Sequence, residues 1–479
     1  MVTIQVANLM SRVVGVYDWN IHKLLDRQLS YQVEGVEFIP SVQNGFWDGI
    51  VHLYSTKTFT FSTGLLSKVC DILAKNNIQY TINDTRIKPI CGLSLPTNTN
   101  LRQDQEDVVK ICMDKARGIC MLPTGYGKSF LMVDLICRLN LPTVIIVHSL
   151  SIADQFVNDF KQRANIKIGY VGNGIVDIKP ITVCMIQTLA NAFKIKSKEF
   201  KSENINIADT QKIYNMCTDA QAVITDEMHA MLTGTNWSKI FNKFTNSYYR
   251  LGFSATPFKT KSISEQLVAE SIYGPKIAEA TYQECIDKGY IVKPDVIIYK
   301  YKQQGLPYGM KFQQAYKERI VENEDRNYNI CKIAFEYFKQ NKKVFITVTQ
   351  LSHGKLLKKM LEEVIGKGNV IFAEGCVSTE KRQNGIRDFE NGGKILIASK
   401  VFDCGLNINS MDVIINTRSN LSQTQVIQTM GRALRNSPGK NKAYIIDIYD
   451  TNVKYFAYHS RERLAIYEAC GFNIEFREC

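Results

Sequence analysis

From about residue 101 to the C-terminus, short apolar runs alternate with longer stretches of helical periodicity. The runs are "TVIIVH", "ITVCMI", "AVIT", "VFITVT", "ILIAS", "VIIN" and "AYIIDI". Each is too short for a helix and too uniformly apolar for a strand with one wet face, so each reads as a strand buried on both faces. Buried strands separated by helices build parallel sheets covered on both sides. The alternation occurs twice, at about 101–285 and about 335–479, with the polar stretch "KYKQQGLPYGMKFQQAYKERIVENEDRN" between. The expected fold class is α/β, with two parallel-sheet lobes in tandem.

Residues 1–95 follow a different pattern. "YQVEGVEF", "GIVHLYS" and "TFTFSTG" read as strands among turns, followed by a helix "LLSKVCDILAKN" and a strand "IQYTI". That is a small α+β accessory domain, and "CGLSLPTNTN" after it has the proline and small polar residues of a linker. The expected layout is an accessory domain at 1–95, a first lobe at 96–290, a linker at 291–334 and a second lobe at 335–479. A chain of 479 residues suits two or three such domains.

The net charge of +13 and a pI near 9.0 point to a polyanionic partner, nucleic acid or an anionic membrane surface. No apolar run approaches the roughly 20 residues of a spanning helix, and the N-terminus lacks a secretory pattern, which disfavours the membrane. Thirteen cysteines are scattered singly with no CxxC pair, disfavouring a disulfide framework or a zinc ribbon. The reading is a cytosolic protein with mostly buried thiols.

"MLPTGYGKSF" (121–130) lies between a strand-like run, "GICML", and a helix-like run, "FLMVDLICRL". A loop of Pro123, Thr124, Gly125, Tyr126 and Gly127 in that place can wrap phosphate oxygens with backbone N–H groups, while the helix presents its positive end. Lys128 would reach the outer phosphates and the Ser129 hydroxyl would ligate Mg²⁺. Leu122 stands where the full Walker pattern has glycine, so only the shorter form PTGxGKS is met.

"AVITDEMHAML" (222–232) places Asp226, Glu227 and His229 directly after a strand-like run. A metal site, an acid/base pair and a polar loop are all consistent with the stretch taken alone. With a phosphate loop upstream, Asp226 becomes the acid that holds the metal and Glu227 the group that orients and deprotonates water. His229 then serves communication, since zinc sites of the HExxH kind need two histidines one turn apart.

The ordered set of segments resembles the superfamily 2 helicases over about 380 residues. "LRQDQ" is similar to the adenine-reading segment with Arg102 and Gln105, "PTGYGKS" to motif I, "VHSLSIADQF" to Ia, "IQTLAN" to Ib, "DEMH" to II and "FSATP" to III. In the second lobe "VFITVT" resembles motif IV, "ASKVFDCGLNI" motif V and "QTMGRALR" motif VI. The resemblance implies RecA-like lobes, ATP and Mg²⁺ as cofactors, and coupling through His229, Ser254, Ala255 and Thr256. Gln428, Arg432 and Arg435 of motif VI would complete the catalytic set with Lys128, Asp226 and Glu227, the arginines offsetting charge on the transferred phosphoryl group. In motif V, Gly405 is followed two residues on by Asn407 where many members carry Asp, so the nucleotide contact there is an amide.

The resemblance further implies nucleic-acid contacts to phosphates from Thr188, Thr349 and Ser399. "FKIKSKEFK" (193–201) interleaves lysines with aromatics as a strand-tracking groove or a solvated loop would. Phe46, Trp47 and Lys57 of the accessory segment are candidates for duplex contact, with Trp47 equally suited to a core. "FWDGIVHLYS" with "FSTGLL" is similar to the accessory domain of phage helicases that act on branched DNA. The expectation is an ATP-dependent DNA helicase or translocase, 3′ to 5′, that unwinds or branch-migrates forks and junctions in replication, recombination or repair. An RNA helicase, an architectural nucleic-acid-binding module and a non-unwinding motor subunit are the alternatives.

Overall fold

The computed structural model describes all residues except 17, 34, 91, 97–99, 196–204, 232–235, 256–262, 306–308, 374–378, 392–393, 400–407, 409–410, 420–422, 437–439 and 479. Within its helices the side chains at 230–231, 236, 379–383, 386, 423–425, 428 and 432 also lie outside the description. The chain divides into two compact units, one of Met1–Leu122 with Gly127–Glu279 and one of Pro123–Tyr126 with Ala280–Cys479.

The first unit holds two large sheets. In the N-terminal one the strand order is Tyr54–Ser55, Thr60–Ser62, Met10–Val14, Val2–Val6, Tyr80–Asp84, antiparallel except for the last pair. Val2–Val6 alternates buried and partly exposed positions, as one packed face requires. The helices Trp19–Gln28 and Leu66–Lys75 give Leu25, Val69, Ile72 and Leu73 to the same core. Of the expected strand "YQVEGVEF", Tyr31 and Gln32 belong to the short strand Ser30–Gln32. Gly35 turns left-handed at φ 67° and Val36–Phe38 continues as a 3₁₀ turn, which no strand can accommodate.

This accessory sheet is built into the first lobe. Leu267, on the lobe helix Ile263–Tyr273, completes its apolar core. Gly64 approaches the same helix so closely that a Cβ would stand 2.2 Å from the Glu270 carbonyl oxygen. Buried Arg117 at the start of a lobe strand donates to the carbonyls of Asn8 and Ser247, and Lys68 pairs with Glu270 at 2.9 Å.

The lobe's own sheet has eight strands, in the order Ile175–Asp177, Gly169–Gly172, Ile181–Met185, Thr143–Val147, Ala222–Asp226, Tyr249–Ser254, Arg117–Met121, Lys276–Glu279. All pairs are parallel except the first. Pairing of Asp226 with Phe253 and of Ser254 with Met121 brings three strand ends level at the carboxyl edge, where open parallel sheets bind ligands.

The second unit carries a seven-stranded sheet, Val370–Ala373, Ile395–Ala398, Val344–Thr347, Val413–Asn416, Ala443–Thr451, Pro294–Lys302, Asn473–Glu478, parallel throughout. The stretch 291–334 therefore differs from the linker expected of it. Pro294–Lys302 is an inner strand, registered from Pro294 against Ala443 to Lys302 against Thr451. Its first half is buried on both faces and its second half alternates lysine with tyrosine, which obscured the strand signal. Helix Glu324–Lys339 follows, capped by the Asn323 side chain. Among the described residues no helix is long and apolar enough to cross a membrane.

Candidate nucleotide-hydrolysis site

The phosphate loop follows the strand Arg117–Met121 and enters the helix Lys128–Leu139. Leu122 N–H donates to the Ser254 carbonyl at 2.9 Å, anchoring the loop's start to the neighbouring strand. Tyr126 N–H closes a turn onto the Pro123 carbonyl at 3.2 Å. Gly125 and Gly127 both sit at φ 92°, a region L side chains avoid. At Gly127 a second constraint applies, because a Cβ would lie 2.6 Å from Nε2 of Gln105.

Gln105 is buried, at 1% exposure, and its Oε1 accepts from Arg102 N–H at 3.2 Å, capping the helix Gln103–Lys115. Arg102 Nε donates to Asp104 at 3.3 Å. The segment expected to read adenine is thus packed directly behind the phosphate loop.

Lys128 is 8% exposed, and its ammonium donates to the Leu122 carbonyl at 3.3 Å and pairs with Glu227 Oε1 at 3.6 Å. Asp226 is the last residue of its strand and accepts from Glu227 N–H at 3.0 Å. Glu227 has φ 50°, a turn that swings its side chain out of strand alternation and beside Asp226. Glu227 Oε2 then meets His229 Nδ1 at 3.4 Å and Ser254 Oγ at 3.5 Å, and Ser254 Oγ lies 2.5 Å from His229 Nδ1. The consistent tautomer, assigned from these partners, has Nδ1–H donating to Ser254 while the serine hydroxyl turns to Glu227.

The two adjacent carboxylates are driven apart in acidity. Burial, then the neighbouring Glu227 charge, push the Asp226 carboxyl well up, with Lys128 opposing. Burial also works against ionised Glu227, but Lys128, His229 and His148 outweigh it and hold this carboxyl below its ordinary value. A buried carboxylate kept ionised is suited to take a proton from water. A buried carboxyl that resists ionisation is relieved by a cation, and Asp226 with the Ser129 hydroxyl supplies oxygen donors of the kind divalent magnesium takes.

Three further groups serve this site, His148 and Gln155 from the segment similar to motif Ia and Leu122 from the start of the phosphate loop. Gln155, on the helix Leu150–Ala164, donates through Nε2 to Ser129 Oγ at 3.1 Å. His148 follows the strand Thr143–Val147 and is kept neutral by burial against the opposing pull of Glu227. The Leu122 carbonyl receives Lys128. The motif position of each is legible in the sequence, while the partner it meets is set by the folding of the loop and the packing of the helices.

In the second unit the helix Gln423–Ala433 carries Gln428 and Arg432, whose side chains lie outside the description. Arg435 follows it, bridged by backbone to Ile291, with Nη1 donating to the Ile408 carbonyl at 3.4 Å. Val292 N–H donates to Leu434 at 2.9 Å, and Lys440 donates to the carbonyls of Met411 and Ala433. Gly405, Asn407 and Thr256 lie outside the described residues, while Ala255 is half-buried next to Ser254.

Of the expected nucleic-acid contacts, Thr188 is 3% exposed on the helix Ile186–Ala192, presenting no open surface. Thr349 is half-buried and accepts from the Tyr316 hydroxyl at 2.9 Å. Ser399 is buried, its Oγ without a hydrogen-bond partner among the described residues. Most of the lysine-aromatic stretch falls on residues outside the description. Phe46 is 85% exposed, Lys57 is exposed, and half-buried Trp47 donates to the Ile50 carbonyl at 3.0 Å.

A parallel-sheet lobe with this loop, acid pair and coupled histidine, followed in the chain by a second parallel-sheet lobe, defines a two-lobed P-loop ATPase. Residues 98–259 match the family described as the type III restriction enzyme res subunit, and residues 327–437 match the helicase conserved C-terminal domain. The chain belongs to the superfamily 2 helicases and is an ATP-dependent helicase or translocase. It is 24% identical over 458 residues to the ATP-dependent DNA helicase uvsW of Enterobacteria phage T4, covering 90% of this chain and 87% of that protein. To the DNA 3′-5′ translocase XPB2 of Sulfurisphaera tokodaii it is 22% identical over 397 residues, covering 76% of this chain and 84% of that one. Its fold is similar to a fragment of a putative HsdR subunit of a type I restriction enzyme from Vibrio vulnificus, with TM-score 0.56 and 14% identity over 90% of this chain and 77% of the fragment.

Proposed function

We propose that the protein hydrolyses Mg-ATP to move along DNA, 3′ to 5′, and that forked and junction DNA are its preferred substrates, on which it unwinds or branch-migrates. The carrying observation is the continuous chain from Lys128 through Glu227 to His229 and Ser254, which joins the phosphate loop to the end of a neighbouring strand. A change at the nucleotide reaches the residues that follow Ser254 by that route. Ser129 and Asp226 would hold Mg²⁺, which when bound supplies positive charge to the phosphates. Glu227 orients water and accepts its proton, Lys128 binds the outer phosphates, and Arg432 and Arg435 offset developing charge. DNA as the track is supported by the named activities of the phage T4 and Sulfurisphaera relatives, and the 3′ to 5′ sense by the latter. The proposed setting is recombination and repair, in the cytosol of its cell.

The test is steady-state ATP hydrolysis with no polymer, single-stranded DNA, duplex, forked DNA, a four-way junction and matched RNA. The expected order is little turnover without polymer, strong stimulation by DNA, and most by branched forms. Glu227→Gln should abolish turnover under every condition. Equal stimulation by RNA would point to an RNA helicase, and no stimulation by any polymer would overturn the motor assignment.

A further inference from the structure

The helix Leu150–Ala164 lies alongside the helix Lys128–Leu139 that follows the phosphate loop, and two contacts clamp them. Arg163 places its guanidinium 4.4 Å from the centre of the Phe130 ring, and Gln155 donates through Nε2 to Ser129 Oγ at 3.1 Å. The same amide nitrogen lies 3.4 Å from Asp159 Oδ2, and Asp159 pairs with Arg163 at 3.6 Å. Gln155 is thus held on both sides, by the acid one turn along its own helix and by the serine across the groove.

A serine hydroxyl has one proton and two lone pairs. When Gln155 N–H occupies one lone pair, the proton is barred from that side, and the second lone pair and the proton share the two remaining positions around the Cβ–Oγ bond, the lone pair turning to a cation. We infer that Gln155 is a positioning residue for Ser129, setting the hydroxyl so that its remaining lone pair is presented to the nucleotide's divalent cation. This rests on the reading of Ser129 as a metal ligand. Partners of this kind, one bond removed from a ligand, typically alter metal affinity by about 10–100-fold when lost.

The experiment follows the binding of a ribose-labelled fluorescent ATP while MgCl₂ is titrated, in the full chain, so that no turnover is needed. Gln155→Met keeps the length and packing of the side chain and removes its amide. Gln155→Asn keeps the amide and draws it back. The expected result is that Gln155→Met raises the half-saturating Mg²⁺ concentration about tenfold, Gln155→Asn raises it less, and thermal midpoints stay near that of the parent. In steady-state hydrolysis at limiting Mg²⁺ the defect should appear in KM and shrink at saturating Mg²⁺.

A double-mutant cycle distinguishes action through Ser129 from action on the fold. In a Ser129→Ala background, Gln155→Met should add nothing. An unshifted Mg²⁺ midpoint in Gln155→Met, or a shift that persists in full in the Ser129→Ala background, overturns the inference while leaving Ser129 as a ligand. If Ser129→Ala alone leaves the Mg²⁺ midpoint unmoved, the metal-ligand reading of Ser129 fails and the inference falls with it.

Discussion

Ser254 Oγ lies 2.5 Å from His229 Nδ1, closing a contact between the end of one strand and the turn that follows its neighbour. Because both groups contact Glu227 Oε2, the Glu227 carboxylate is tied to the strand end. Loss of one such hydrogen bond costs about 0.5–1.5 kcal/mol, which translates to about a two- to tenfold change in rate. Ser254→Ala should therefore retain measurable DNA-stimulated hydrolysis, reduced by that factor, while strand displacement falls further. Parallel ATPase and strand-displacement assays check this, and equal losses in both would mean that the contact serves chemistry alone.

Gly127→Ala should damage the nucleotide site more than the fold. The new methyl would stand 2.6 Å from Gln105 Nε2, in a backbone conformation at φ 92°. Left-handed backbone costs a non-glycine residue about 1–2 kcal/mol, and displacement of Gln105 adds loss of the cap it makes with Arg102. The expected outcome is a nucleotide affinity lowered by about tenfold or more with a thermal midpoint a few degrees lower. Fluorescent-nucleotide binding and calorimetry separate the two effects.

Leu267→Ala tests whether the accessory sheet and the first lobe share a core. Leu267 is 3% exposed among residues of the N-terminal sheet, although it belongs to a lobe helix. Deleting a buried leucine side chain costs about 2–5 kcal/mol, depending on how far the site collapses. Hydrogen exchange should show protection falling in both Val2–Val6 and Ile263–Tyr273. Loss confined to one of them would show that the two regions unfold independently.

His353 sets an acid limit on the second unit. It is fully buried, shares a hydrogen bond at 2.9 Å between its Nε2 and Asn327 Oδ1, and burial, then Arg326, lower its pKa from 6.5 to about 3. The unfolded chain therefore binds the proton that the folded one refuses, and stability rises with pH in this window. The contribution is complete above pH about 6.5 and is lost as the pH falls toward 3, at about 1.4 kcal/mol per unit. Urea unfolding at stepped pH should show this slope, and His353→Gln should flatten it.

The parallel-sheet lobes were legible because a strand buried on both faces must be apolar at every position, and "TVIIV" or "VIIN" permits little else. The phosphate loop was legible because its backbone conformation demands glycine at 125 and 127. Pro294–Lys302 was not, since a strand that alternates lysine and tyrosine in its second half looks like an exposed connector until its neighbours cover the first half. Thr188 holds its place by motif position, but its burial is decided by the packing around its helix.

Taken by itself, the sequence determined the class of fold and pointed to a candidate nucleotide site and its chemistry, because periodicity, glycine φ requirements and adjacent ionisable residues are local properties of the chain. Which partners the side chains around that site meet was decided only by the tertiary structure. Gln155 reaches Ser129, Gln105 backs Gly127, and Leu267 seals the accessory core because parallel pairing and helix packing bring together residues far apart in sequence. Such contacts depend on strand order, and strand order is set by burial of whole faces rather than by any residue's own preference.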